Sequence, residues 1–256
     1  MSAPPAPRGL LAGRVAVVTA AAGTGIGFAT ARRLAQEGAA VMLSDRHERR
    51  LAESLEALRA EVDVAVDAVA CDVTDTAQIE HLYDETERRL GPIDVACNNA
   101  GLGSARQLVD MSDDEWTRVI DISLYSAFRC TRSLLRRMIP RRTGVIVNVA
   151  SVTGWRAEAE QCHYGAAKAG VMALTRCAAM EAAPHGVRVN AVSPTITMHA
   201  NLVRAVGEDV LERRAAEQLQ GRPAHTWEIA TVVAFLASDL SSYLTGEVIP
   251  VSSQHP

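Results

Sequence analysis

The sequence predicts one α/β domain built as a doubly wound parallel sheet with helices on both faces. Three observations predict it. Short β-branched apolar runs alternate with longer amphipathic stretches along the 256 residues, the pattern of repeated βαβ crossovers. The runs are apolar almost without a break, as strands covered on both faces are. The first run leads into a glycine-rich turn that opens a helix, an arrangement suited to a dinucleotide.

The elements follow in order. Seven strands are expected at 15–19, 40–44, 64–70, 93–97, 145–149, 187–192 and 247–251. A helix over 27–37 ends before Gly38, which suits the left-handed position after a helix. Helices over 48–60 and 76–90 come next, the second stopped by Gly91-Pro92. Ser112 and Glu115 form a capping box that opens a helical region running to 139 and ending at Pro140. Helix 162–183 is stopped by Pro184, and 227–237 is the last helix. Residues 1–9 read as a Pro/Ala-rich disordered tail, so the domain spans 10–256.

Composition excludes several function classes. Hydrophobic residues make up 48% and charged residues 22%, as in ordinary globular proteins. A formal net charge of −4 argues against a nucleic-acid or anionic-membrane partner. The sequence has no hydrophobic leader, and no apolar run approaches the ~20 residues of a membrane span. Five scattered cysteines without a Cys-x-x-Cys point to free thiols in a reducing cytoplasm. The seven histidines show no ligand spacing, so no metal is expected.

The turn after the first strand reads Ala20-Ala21-Ala22-Gly23-Thr24-Gly25-Ile26-Gly27. Glycines there let the backbone approach a pyrophosphate, and the helix start adds free N–H groups and a positive dipole end. Asp45 ends the second strand, 18 residues after Gly27, where a carboxylate can bind the adenosine ribose. That carboxylate repels a 2′-phosphate and favours NAD over NADP, whereas Arg46 beside it could pair with that phosphate. Asp45 could equally serve as a helix cap. Asp72-Val73 follows the third strand and Asn98-Asn99-Ala100-Gly101 the fourth. Both stand at carboxyl ends of strands, where ligands bind in such sheets, although each could be turn chemistry.

Lys168 is the single lysine among 26 basic residues, and it stands four residues after Tyr164. Residues four apart on a helix share one face. A compact ammonium there can acidify the phenol for proton transfer, a task a guanidinium fork does not perform. A surface packing pair is the plainer reading of the two residues alone.

Taken together, the glycine-rich turn, Asn-Asn-Ala-Gly, Ser151 thirteen residues ahead of Tyr164, and Tyr-x-x-x-Lys resemble the short-chain dehydrogenase/reductase family, in the family's order from about Leu11 to Val251. The resemblance implies a seven-stranded Rossmann fold, a nicotinamide cofactor, a secondary alcohol or ketone as substrate, and a homotetramer. It implies catalytic roles for Ser151, Tyr164 and Lys168. It places Gly23, Thr24, Gly25, Ile26 and Gly27 at the pyrophosphate, Asp45 at the ribose, Asp72 and Val73 at the adenine, and Asn99, Ala100 and Gly101 along the cofactor groove. Tyr164 and Lys168 also belong to the cofactor-binding set. Departures from the pattern are Ala20 for a glycine, Ser123 for a relay asparagine, Thr195 after Pro194, and Ser252-Ser253 near the end.

Finer features, among them HYGAAKAGVMALTRC and the Gln-His-Pro ending, resemble actinobacterial reductases of the 3-oxoacyl-carrier-protein type, one group of which acts on CoA thioesters from steroid C and D rings. A hydroxyacyl-CoA or steroid-derived CoA thioester is the substrate this implies. A reductase of fatty-acid synthesis and a non-catalytic dinucleotide-binding regulator are the alternatives. Residues 195–223 are expected to form a substrate flap, with apolar Met198, Leu202, Val203, Val206, Val210 and Leu211. Its Arg204, Arg213, Arg214 and Arg222 could meet CoA phosphates or be merely solvated.

Overall fold

A computed structural model describes residues 3–198, 203, 208–216 and 218–253. Seven parallel strands form one sheet in the order β3-β2-β1-β4-β5-β6-β9. They are β1 (Val15–Val18), β2 (Ala40–Asp45), β3 (Val66–Ala70), β4 (Val95–Asn98), β5 (Gly144–Val149), β6 (Val187–Pro194) and β9 (Val248–Val251). The helices are α1 (Ile26–Gln36), α2 (Glu48–Arg59), α3 (Thr76–Arg89), α4 (Asp113–Ile120), α5 (Ser126–Arg141), α6 (Cys162–Ala182), α7 (Glu208–Ala216) and α8 (Thr226–Ala237). The order reverses between β1 and β4, which opens a crevice at the carboxyl ends of those strands.

Alternation along each strand divides the core into two layers. Ala16, Val18, Val41, Leu43, Val95 and Cys97 point to one face, where Leu34 of α1 and Val233 of α8 are also buried. Val17, Met42, Ala96 and Ile146 point to the other, onto Leu82 of α3, Leu134 of α5 and Ala179 of α6. Burial on both sides explains the unbroken apolar runs of the sequence.

The helix starts follow the capping signals. The Asp75 side chain accepts from the Ala77 and Gln78 N–H groups, and Ser112 with Glu115 closes the expected box at α4. The expected helical region from 112 to 139 is not α-helix throughout: a π turn over Asp121–Tyr125 joins α4 to α5. Nor does Pro140 end it: α5 runs on to Arg141, and left-handed Arg142 (φ 57°) caps it. A proline in the last turn removes one helical bond but leaves the terminal geometry attainable.

Two short strands were not legible in the sequence. Thr197–Met198 (β7) pairs in parallel with Ala224–His225 (β8). Together they close the base of the segment expected as a flap. Within that segment Leu202, Arg204 and Val206 lie outside the described residues, as do the side chains of Val210 and Arg214. Near the start of the chain, the Arg8 and Leu10 N–H groups donate to the buried Glu37 carboxylate, and Arg33 donates to the Pro5 carbonyl.

Candidate active site

The register sets the site. Asn98 of β4 lies opposite Asn148 of β5, so residues 99–101 and 150–151 leave the sheet close together. The Asn98 amide donates to Asn148 Oδ1 at 2.9 Å and to Thr131 of α5 at 3.2 Å. The Asn148 amide donates to Thr175 of α6 at 3.0 Å. All four side chains are buried, where hydrogen bonds are strong and unmade ones costly. This ladder fixes α6, the carrier of Tyr164 and Lys168, against the strand ends. The sequence placed Asn98 at a strand end suited to a ligand or to a turn, and did not show this ladder.

Ser151 follows β5 in extended conformation and caps a short 3₁₀ turn, accepting from the Thr153 N–H. Its hydroxyl donates to Thr153 Oγ1 at 3.1 Å and stands beside the Tyr164 phenol, whose pKa it pulls down. Lys168 lies one turn along α6, buried, and its ammonium donates to the Val149 carbonyl at 2.7 Å. The structure thus brings Ser151, Tyr164 and Lys168 together.

Electrostatics correct one expectation. Burial pushes the Tyr164 phenol above its ordinary value, the Ser151 hydroxyl opposes it, and Glu158 adds to it. The ammonium does not acidify the phenol in the chain alone. Lys168 Nζ sits 5.6 Å from the ring centroid, and burial lowers its own pKa to about 8. Desolvation disfavours the charged form of each.

The glycine-rich turn is braced on all sides. Asn99 Nδ2 donates to the Thr19 and Ala20 carbonyls, each at 3.1 Å, and the Gly23 N–H donates to Ser54. Asn99 therefore shapes the turn. Gly27 lies so close beneath it that an added Cβ would stand 2.2 Å from the Ala20 carbonyl oxygen. Ala20, which replaces a glycine, takes a left-handed φ of 50°, at a cost of roughly 1 kcal/mol. Helix α1 begins at Gly25 without a capping side chain, so its first N–H groups can receive an anion.

A cleft of about 150 Å³ gathers Ala20, Asp45, Asp72, Val73, Ala100 and Gly101, together with Arg46, His47, Arg50 and Cys71. Asp45 accepts from the His47 N–H at 2.9 Å and the Ala22 N–H at 3.3 Å. Asp72 Oδ1 is occupied by the Thr74 N–H and hydroxyl. Only its place on the cleft wall speaks for a ligand role. Cleft, glycine turn and open helix start together fit a nicotinamide dinucleotide. Gly23, Thr24, Gly25, Ile26 and Gly27, at the turn and the start of α1, and Asn99 do not line this cleft.

Ser123 lies in the π turn, buried, and both accepts from the Leu102 N–H and donates to the Leu102 carbonyl, each at 2.9 Å. Arg222 is engaged by Glu228, at 2.8 and 2.9 Å. Among the described residues no helix is long and apolar enough to cross a membrane.

Comparison with known proteins places this architecture. The family model for enoyl-(acyl carrier protein) reductase matches residues 20–253. The chain is 60% identical to a (5R,7aS)-5-hydroxy-7a-methyl-1-oxo-2,3,5,6,7,7a-hexahydro-1H-indene-carboxyl-CoA reductase of Mycobacterium tuberculosis, over 97% of this chain and 95% of that protein. It is 38% identical to the 3-oxoacyl-[acyl-carrier-protein] reductase FabG of Thermotoga maritima, over 94% and 97% of the two chains. A short-chain dehydrogenase structure from Mycobacterium smegmatis superposes with a TM-score of 0.90 at 50% identity, covering 100% and 98%. NAD⁺-bound xylitol dehydrogenase does so with a TM-score of 0.89 at 33% identity, covering 95% and 99%. This chain belongs to the short-chain dehydrogenase/reductase family. It is an oxidoreductase that uses a nicotinamide dinucleotide.

Proposed function

We propose that the enzyme interconverts a secondary alcohol and a ketone on a CoA thioester, one derived from a steroid ring or a related hydroxyacyl group, with NAD as its dinucleotide. The convergence of Ser151, Tyr164 and Lys168 at the end of β5 carries this reading. Tyr164, as phenolate, takes the proton from the substrate hydroxyl in oxidation, and as phenol returns it to the developing alkoxide in reduction. Ser151 holds the same oxygen against the phenol. Lys168 holds the nicotinamide ribose and supplies the positive charge. The bound dinucleotide accepts or delivers the hydride. Gly23, Thr24, Gly25, Ile26 and Gly27 receive the pyrophosphate. Asp45 takes the adenosine ribose, Asp72 and Val73 the adenine, and Asn99, Ala100 and Gly101 shape the groove.

The Asp45 carboxylate, fixed by two N–H groups, supports NAD over NADP. The relative from Mycobacterium tuberculosis supports the thioester. Similarity to the Thermotoga maritima FabG favours, as a second reading, a 3-oxoacyl group on a carrier protein. The segment 195–223 is the substrate flap, hinged on β7 and β8. Assembly as a homotetramer draws on exposed Tyr125 and Phe128 beside or on α5, Met180 on α6, and Tyr243. Five free thiols suit the cytoplasm.

Tyr164→Phe tests the core of this reading. Turnover of a hydroxyacyl-CoA panel with NAD should fall by at least about 10²–10⁴-fold, while dinucleotide fluorescence titration gives a Kd near wild type. Near-normal turnover by the variant would remove the tyrosine from the chemistry. Preference for acyl-carrier-protein substrates would select the second reading.

A further inference from the structure

His163 and Ser104 have no part in that scheme, yet they meet beside it. His163 is fully buried at the start of α6, and its Nε2 lies 2.8 Å from Ser104 Oγ. Its Nδ1 is buried with no partner. Burial lowers the imidazole pKa, against a weaker pull from Glu115, so the ring is neutral near pH 7. A neutral imidazole carries one N–H. A buried N–H without an acceptor is rarer and harder to sustain than an unfilled acceptor. The proton therefore belongs on Nε2, and the ring donates to Ser104. Ser104 is exposed, and its own hydroxyl proton is then available to a ligand.

The loop carrying Ser104 runs along the Tyr-Lys pair. A Cβ on Gly101 would stand 3.2 Å from Lys168 Nζ, and one on Gly103 3.4 Å from the Tyr164 ring. Ser123 holds Leu102 between them through both backbone groups. Ser104 is the next residue, exposed one step along the loop from the glycine that packs on the Tyr164 ring.

We propose that Ser104, oriented by His163, donates a hydrogen bond to a second oxygen of the substrate, the thioester carbonyl, beside the oxygen held by Ser151 and Tyr164. This rests on the thioester reading above. His163 is a positioning residue that acts through Ser104.

The test compares kcat/KM on a hydroxyacyl-CoA and on cyclohexanol, which lacks a second oxygen. Ser104→Ala and His163→Phe should each lose about tenfold on the thioester, the worth of one hydrogen bond, and stay within about twofold on cyclohexanol. His163→Gln, whose amide can donate from near the Nε2 position, should keep most of the thioester activity. Dinucleotide Kd should not move. Thioester activity of Ser104→Ala within twofold of wild type overturns the inference and leaves the thioester reading intact. Equal losses on both substrates also overturn it, because they mark a disturbed Tyr164 instead. A wild-type enzyme that oxidises cyclohexanol but no hydroxyacyl-CoA overturns both readings together.

Discussion

Lys168 meets the Val149 carbonyl at 2.7 Å through an ammonium that burial has brought to a pKa of about 8. Above the ordinary value of 10.5 the side chain is neutral folded or unfolded, and burial carries no electrostatic cost. As pH falls from 10.5 towards about 8, the unfolded chain takes a proton that the folded chain resists, so wild-type stability declines. Below about 8 both states are charged and the cost is constant, of order 3 kcal/mol. Lys168→Met should therefore be inactive yet more stable at pH 7 in the nucleotide-free state. Its stability advantage should grow as pH is lowered across that window and level off beneath it. Denaturant unfolding at several pH values measures this, and a constant difference between the two proteins contradicts it.

Tyr164 shows the same conflict between burial and charge. Its phenol is pushed up by burial and pulled down by the Ser151 hydroxyl. Ser151→Ala removes that opposing influence, so the phenol should titrate higher still and turnover should fall by at least about 10²-fold. With four tyrosines in the chain, a phenolate absorbance titration needs Tyr164→Phe as its subtraction control. A Ser151→Ala protein whose Tyr164 titrates unchanged or lower would show that the hydroxyl carries no electrostatic weight.

What the sequence revealed and concealed follows from the range of each interaction. Strands β1 to β6 and β9 were legible because cover on both faces forces apolar runs. The glycine turn and the Tyr164–Lys168 spacing were legible because each lies within one element. Two-residue β7 and β8 are too short to show a period. The Ser104–His163 pair spans 59 positions and leaves no local pattern. The Arg222–Glu228 pair was not legible because its two residues stand on either side of the β8 strand. The sign of the Tyr164 shift was hidden because charge sequence reports neighbours and not burial.

Gly27 offers a steric prediction. A methyl group there would stand 2.2 Å from the Ala20 carbonyl oxygen and 2.5 Å from Asn99 Nδ2, the amide that holds the turn together. Backbone on one side and a bonded side chain on the other leave no inexpensive adjustment. Gly27→Ala should lose about 1–3 kcal/mol of stability and weaken dinucleotide binding at least tenfold by opening the turn. Thermal unfolding and fluorescence titration read the two effects. A variant with native stability and affinity would mean that α1 can slide away from the turn.

On the proposed reading, Asp45 sets which dinucleotide the cleft accepts. Its two oxygens are fixed by the His47 and Ala22 N–H groups, at 2.9 and 3.3 Å, and the carboxylate retains lone pairs for ribose hydroxyls. Arg46 and Arg50 line the same cleft. With the carboxylate present, a 2′-phosphate meets a like charge before it can reach either guanidinium. Asp45→Ser removes that repulsion and leaves the cations in place. The ratio of kcat/KM for NADP to that for NAD should then rise at least tenfold. Adding Arg46→Ala should cancel much of the gain, since an arginine fork supplies the phosphate contact. If the single variant loses NAD activity without gaining NADP activity, the carboxylate serves only to bind ribose and the arginines lie out of reach of the phosphate.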